Sequence, residues 1–321
     1  MGQILSLTSE FFPPKPRFVP SRDIPDLSDK VIIVTGSNSG IGKETIQELL
    51  LKNAKVYMAA RTRARAEQAI SDLKSKTGKD AIFLELDLAD LSSVTRAAKE
   101  FKSKEPALHI LFNSGGVMAA PVDQLTADGY DLQFGTNCLG HAHLTLLLIP
   151  ELINGAKMST DGKARVVNTS SFSSYLAGGV GIDFSSLKGD NTPTRTKMGT
   201  TALYHQSKYG NVLFSNELAK RYADQGIVST ALNPGNLQTE LQRHLPSLRQ
   251  RILSLLLYPA PLGALTQLWA GTSPETKDFN GKWLIPWARV GKIGASKDPR
   301  IGEKLWEWIG EQRSGHLLTE G

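Results

Sequence analysis

Val31-Ile32-Ile33-Val34-Thr35-Gly36-Ser37-Asn38-Ser39-Gly40-Ile41-Gly42 decides the fold. Four consecutive β-branched apolar residues predict a strand buried on both faces, which Thr35-Gly36 ends. A helix is predicted from about Gly42 to Leu51. Glycines in such a turn let the backbone reverse sharply and approach a phosphate closely, while the helix start offers free N–H donors. The spacing is G-x-x-x-G-x-G. A tight strand-to-helix turn needs glycine for steric reasons too, so this segment alone leaves both readings open.

Outward from this turn, short apolar runs alternate with longer helical patterns. Strands are expected at Lys55–Ala60, Ala81–Leu86, His109–Phe112, Arg165–Asn168 and Gly226–Asn233. Helices are expected at Arg63–Ser75, Ser92–Phe101, Leu125–Leu152 and Thr201–Ala223. This βαβ rhythm predicts one α/β domain, a doubly wound parallel sheet with helices on both faces in three layers. Residues 1–29, with four prolines before Arg22, read as an irregular or partly helical extension ahead of a domain at 30–321. Residues 178–200 read as a long loop.

The 321 residues suit a single large α/β domain, and their ordinary composition excludes a collagen-like or disordered chain. The formal charge of +6 is too diffuse for nucleic-acid binding. Cys138 is the only cysteine, which excludes an intrachain disulfide and a cysteine-based metal centre and points to a reducing, cytoplasmic setting. No apolar run approaches the roughly 20 residues of a spanning helix.

An NAD site places a carboxylate about 20 residues past the glycines to bond the adenosine ribose. Here the second strand ends Ala60-Arg61, and Arg63 and Arg65 precede the first carboxylate, Glu67. A ribose 2′-phosphate welcomes a guanidinium, so NADP(H) is the expected cofactor and Arg61 its selector. Arg63 and Arg65 read as a solvated helix face. Further on, Tyr204-x-x-x-Lys208 puts a phenol and an ammonium on one helix face, where the cation favours the phenolate. Alone, this pattern also suits an ordinary amphipathic surface.

Thr35-Gly36-x-x-x-Gly40-Ile41-Gly42, Asp87, Asn113-Ser114-Gly115-Gly116, Asn137, Ser171, Tyr204-x-x-x-Lys208 and Pro234-Gly235 stand in an order that closely resembles the short-chain dehydrogenase/reductase family, from about Lys30 to Gly310. Leu108–Leu111, Asn137–His141 and Ala219–Tyr222 look most like its retinol-dehydrogenase-like branch. The resemblance implies a Rossmann-type fold and an oxidoreductase moving a hydride between NADP(H) and a carbonyl/alcohol pair, on an apolar substrate. It makes Tyr204 the general acid or base, Lys208 its activator and ribose holder, Ser171 the carbonyl partner and Asn137 the holder of a relay water. Gly36, Asn38, Ser39, Gly40, Ile41 and Gly42 become the phosphate cradle. Asp87, Leu88, Asn113 and Gly115 fall on the adenosine half, and Pro234, Gly235, Leu237 and Thr239 on the nicotinamide carboxamide. A substrate lid is implied at about 236–262. Ser114 departs from the family's second asparagine, which leaves the hold between central strands in question. A non-catalytic dinucleotide sensor on the same fold is the alternative; the intact set of four argues against it.

The six histidines show no metal-ligand spacing, and Cys138 reads as helix packing. Leu144–Ile153 reads as core or as a homodimer contact. Leu253–Pro259 reads as core, as a wall of an apolar pocket or as a membrane-touching patch. Trp283, Trp287, Trp306 and Trp308 read as packing residues. Met1-Gly2-Gln3-Ile4-Leu5-Ser6 matches an N-myristoylation pattern, which leaves peripheral membrane contact open.

Overall fold

Alternate residues of β1 (Val31–Thr35) face opposite ways, and that alternation builds the three layers. Ile33 enters one apolar core with Leu111, Val166 and Phe101. Ile32 and Val34 enter the other, with Phe112, Val167, Leu49 and Leu268. The structure is a computed structural model describing residues 8–178, 181–189, 192–237, 257–292, 298 and 300–316.

After β1 come α1 (Gly40–Leu51), β2 (Lys55–Ala60), α2 (Arg63–Thr77), β3 (Ile82–Glu85), α3 (Leu91–Lys104) and β4 (Ile110–Asn113). Next are α4 (Gly140–Leu147), α5 (Ile149–Met158), β5 (Ala164–Thr169), α6 (Thr192–Tyr222), β6 (Ile227–Leu232), α7 (Ala260–Thr272), β7 (Trp283–Ile285), β8 (Arg289–Val290) and α8 (Ile301–Arg313). The sheet order is β3-β2-β1-β4-β5-β6-β7-β8. All neighbours are parallel except β7 and β8, as in a doubly wound α/β fold. Helices α3, α4, α6 and α8 cover one face, and α1, α2 and α7 the other. Winding reverses between β1 and β4, so a crevice opens at their carboxyl ends.

Several elements depart from the sequence reading. The long helix does not begin at Leu125, which instead bridges to Asp131. Asp131 caps a turn at Leu132–Phe134 by accepting from the Phe134 N–H at 2.8 Å, and a π-helical stretch, Gly135–Leu139, leads into α4. Pro150, lacking an N–H, sits at the start of α5, after the break at Leu148. The expected loop at 178–200 is helical from Thr192. Arg195, fully buried, donates there to the carbonyls of Val122 and Gly189, and Gly199 (φ 76°) breaks the helix before it resumes. Strands β7 and β8 were not expected; at three and two residues they show no periodicity.

Leu144, Leu148 and Leu152 lie inside the first core, so that aliphatic stripe is core. Cys138 is buried against Gly210, and burial pushes its thiol up to about 12. Trp283 and Trp287 are buried, Trp306 stacks on Phe214, and Trp308 packs edge-on against Phe134. In the extension, Phe18, Ile24 and Leu27 are buried in the second core. The myristoylation pattern, Thr239 and residues 238–256 of the expected lid lie outside the described residues. Among the described residues, no helix is long and apolar enough to cross a membrane, and no side-chain cluster could hold a metal ion.

Candidate active site

The turn after β1 is built on close backbone approach. Gly36 has φ 62°, and a Cβ on it would lie 2.5 Å from Gly115 Cα. No other residue fits there. Thr35 sews this turn to the end of β4, its hydroxyl accepting from the Ser114 and Gly115 N–H groups at 2.9 Å each. Above it lies an open cleft lined by Gly36, the Asn38–Gly42 turn, Arg61, Asp87, Leu88 and Gly115. These ten expected cofactor residues therefore share one surface.

At the cleft rim Arg61 is 68% exposed, 4.0 Å from the Asp87 carboxylate. Arg63 turns away, pairing with Glu67 at 3.7 Å and Glu85 at 3.9 Å and lying over Phe83. Arg65 does not share its fate: it lines the cleft beside Thr62. Residues two apart on a helix face different ways, and position 65 is the one that faces the crevice.

Asn113 does not reach the cleft. Its amide donates to Asn168 at 2.9 Å and Thr145 at 3.0 Å, tying β4 to β5 and α4. Leu237 turns into the core against Gly263, and Pro234 and Gly235 stand beyond the cleft's lining. The strand contact placed in question by Ser114 is made through Gln267 of α7. Its Oε1 accepts from Ser114 at 2.7 Å and Thr169 at 3.1 Å, and its amide donates to Thr45.

At the far end, Asn137 lies in the π-helical stretch, wholly buried. It accepts from the Val117 N–H at 2.8 Å and donates to the Val117 carbonyl at 3.0 Å and the Ser207 hydroxyl at 2.9 Å. A Cβ on Gly116 would lie 2.8 Å from Asn137 Oδ1 and 3.6 Å from Lys208 Nζ, so glycine lets these residues converge. His141, one turn on, donates from Nδ1 to the Asn137 carbonyl at 2.9 Å. That tautomer leaves Nε2 to accept from the Thr35 hydroxyl at 2.7 Å, linking the turn after β1 to Asn137. Burial brings His141 down to about 4, so it is neutral at ordinary pH. Sequence reasoning passed over this histidine and Thr136, whose buried hydroxyl has no protein partner at the cleft. The His141 signal was its i, i+4 spacing from Asn137.

Lys208 is 4% exposed and donates to the Thr169 carbonyl at 3.1 Å; burial lowers it to about 8. Tyr204 lies within hydrogen-bonding reach of Ser171. Burial pushes the phenol up to about 12, and the Ser171 hydrogen bond opposes this. The phenol thus stands above its ordinary value, opposite to the lowering expected from Lys208, and desolvation is the dominant cause. Asn137, Ser171, Tyr204 and Lys208 nonetheless come from three separate segments to one place beside the cleft.

The family model for short chain dehydrogenases matches residues 30–190. A short-chain dehydrogenase/reductase of Armillaria gallica is 54% identical over 310 residues, covering 96% of this chain and 98% of its own. An uncharacterised protein from Mycobacterium paratuberculosis, 28% identical, has a TM-score of 0.67 over 92% of this chain and 97% of its own. A short chain dehydrogenase from Shigella flexneri, solved with NADP, has a TM-score of 0.61 at 20% identity, covering 81% and 97%. The matches identify the family and not a branch within it. With a doubly wound sheet, a glycine turn at its switch point and relatives of full length, the chain belongs to the short-chain dehydrogenase/reductase family of oxidoreductases.

Proposed function

We propose that the protein interconverts a carbonyl and an alcohol with NADP(H), Tyr204 transferring the proton. The observation that carries this is the Tyr204 phenol within reach of Ser171, one helical turn from the buried Lys208. A phenol and a hydroxyl so paired present two hydrogen-bonding groups to a single substrate oxygen. A sensor of dinucleotides has no use for that pair.

The cleft fits the cofactor. The Gly36–Gly115 approach leaves backbone bare toward it, the Thr136 hydroxyl lacks a partner, and Arg61 and Arg65 stand on its rim without a ribose carboxylate at position 61. When bound, NADP(H) supplies or accepts the hydride and, once oxidised, adds a positive charge. Asn38–Gly42 and the start of α1 would hold its phosphates, Asp87 its adenine, and Arg61 its 2′-phosphate.

In reduction, Ser171 orients the carbonyl oxygen and Tyr204, protonated at neutral pH, gives its proton to that oxygen. Lys208 stabilises the phenolate left behind, and Asn137 holds the backbone of Val117 beside them. The substrate is apolar: Phe172, next to Ser171, packs edge-on against Phe11 at 4.7 Å, and Leu176 is 57% exposed nearby in sequence. A screen of apolar aldehydes, ketones and alcohols, followed through nicotinamide absorbance with NADPH, NADH and their oxidised forms, tests the proposal. Turnover with NADPH exceeding that with NADH supports it. Dinucleotide binding without turnover of any of these classes would favour the sensor.

A further inference from the structure

Glu10 belongs to the N-terminal arm, outside the span matched by the family model, yet it is 1% exposed. An arm has no folding need to bury a carboxylate, and burial here raises its pKa. Its partners give it a place. The Asn233 amide donates to Glu10 Oε2 at 3.0 Å, and Asn233 Oδ1 accepts from the Gly235 N–H at 3.0 Å. Gly235 has φ 96°, and a Cβ there would lie 2.9 Å from the Trp287 ring, so the Pro234–Gly235 turn is held between Asn233 and Trp287. On the other side, the Tyr175 hydroxyl donates to Glu10 Oε1 at 2.6 Å, four residues beyond Ser171. Trp283 donates to that hydroxyl at 2.8 Å. Arg289 fixes the arm itself, donating to the Ser9 carbonyl at 2.7 Å.

We propose that Glu10 is a positioning residue for the nicotinamide side of the site, bracing the Pro234–Gly235 turn through Asn233 and the segment after Ser171 through Tyr175. The N-terminal arm is thereby part of the site. This rests on the dinucleotide reading above.

The test is equilibrium binding of NADPH, and separately of 2′,5′-ADP, to the full chain, by calorimetry. The fragment would occupy only the adenosine end of the cleft, whose lining does not include Glu10. Glu10→Ala is expected to weaken NADPH about tenfold while leaving 2′,5′-ADP unchanged. Asn233→Ala should weaken NADPH likewise, and the double variant should lose less than the sum of the two, because both variants cut the Glu10–Asn233 hydrogen bond. Glu10→Gln, which fills the same space and keeps one acceptor, serves if the alanine variant does not fold, and should lose less. NADPH affinity unchanged in a folded variant, or an equal loss of both ligands, overturns the proposal. A parent chain that binds neither ligand overturns the dinucleotide reading itself, and this proposal with it.

Discussion

The Lys208 ammonium lies 5.9 Å from the centroid of the Tyr204 ring and donates to the Thr169 carbonyl. It is a buried cation, and folding works against it. The unfolded chain holds its proton with the ordinary pKa of 10.5, whereas burial brings the folded value down to about 8. Between those values the unfolded state carries more protons, so this lysine's contribution to stability rises with pH across that window.

Lys208→Met is therefore expected to be more stable than the parent at pH 7, by on the order of 1–3 kcal/mol, while losing turnover and nicotinamide-end affinity. The gap should narrow as pH rises from 8 toward 10.5. Urea unfolding at pH 7 and pH 10 measures it; a variant less stable than the parent at both would show that the ammonium's hydrogen bond outweighs its desolvation.

Cofactor choice turns on Arg61. Arg61→Ala should weaken NADPH by about 1.5–3 kcal/mol, as for a charge-assisted hydrogen bond, and NADH little. Ala60→Asp should shift preference toward NADH by repelling the 2′-phosphate. Dissociation constants for both cofactors decide this, and equal losses would reduce Arg61 to a source of general field.

Acid should unfold the protein through its buried histidines. Burial brings His109 and His141 down to about 4 and His143 down to about 3, so each stays neutral while its unfolded counterpart protonates near 6.5. The unfolded state then binds more protons as pH falls below 6.5, and stability drops. Asp131, raised to about 6 by burial, opposes the drop over the lower part of the range. Unfolding free energy should fall by on the order of 3 kcal/mol between pH 7.5 and 5.5, and His143→Gln should remove about a third of that dependence. A parent whose stability is flat over this range would contradict the neutral assignments.

What could be read from sequence was whatever lies within a few residues. The Gly36–Gly42 turn follows from a buried strand meeting a helix, and Tyr204 and Lys208 from one helical turn of separation. The strand Lys55–Ala60 was legible to the residue because all its apolar positions are buried. Contacts between distant segments were not legible. Nothing local shows that Asn137 bonds Ser207, that Gln267 closes the gap at Ser114, or that Glu10 reaches Asn233. Arg63 and Arg65 look alike in sequence and differ only in where the helix points them. Strand β7 takes its conformation from pairing with β6, and the edge strand β8 from pairing with β7, and neither from any pattern of its own.

Tyr204→Phe tests the central claim most directly. The substitution keeps the ring and its packing and removes only the hydroxyl that meets Ser171 and carries the proton. Once a substrate is in hand, the account predicts that turnover falls by at least about three orders of magnitude, with NADPH affinity within about twofold of the parent. Near-native turnover in Tyr204→Phe would contradict the assignment of the whole active site.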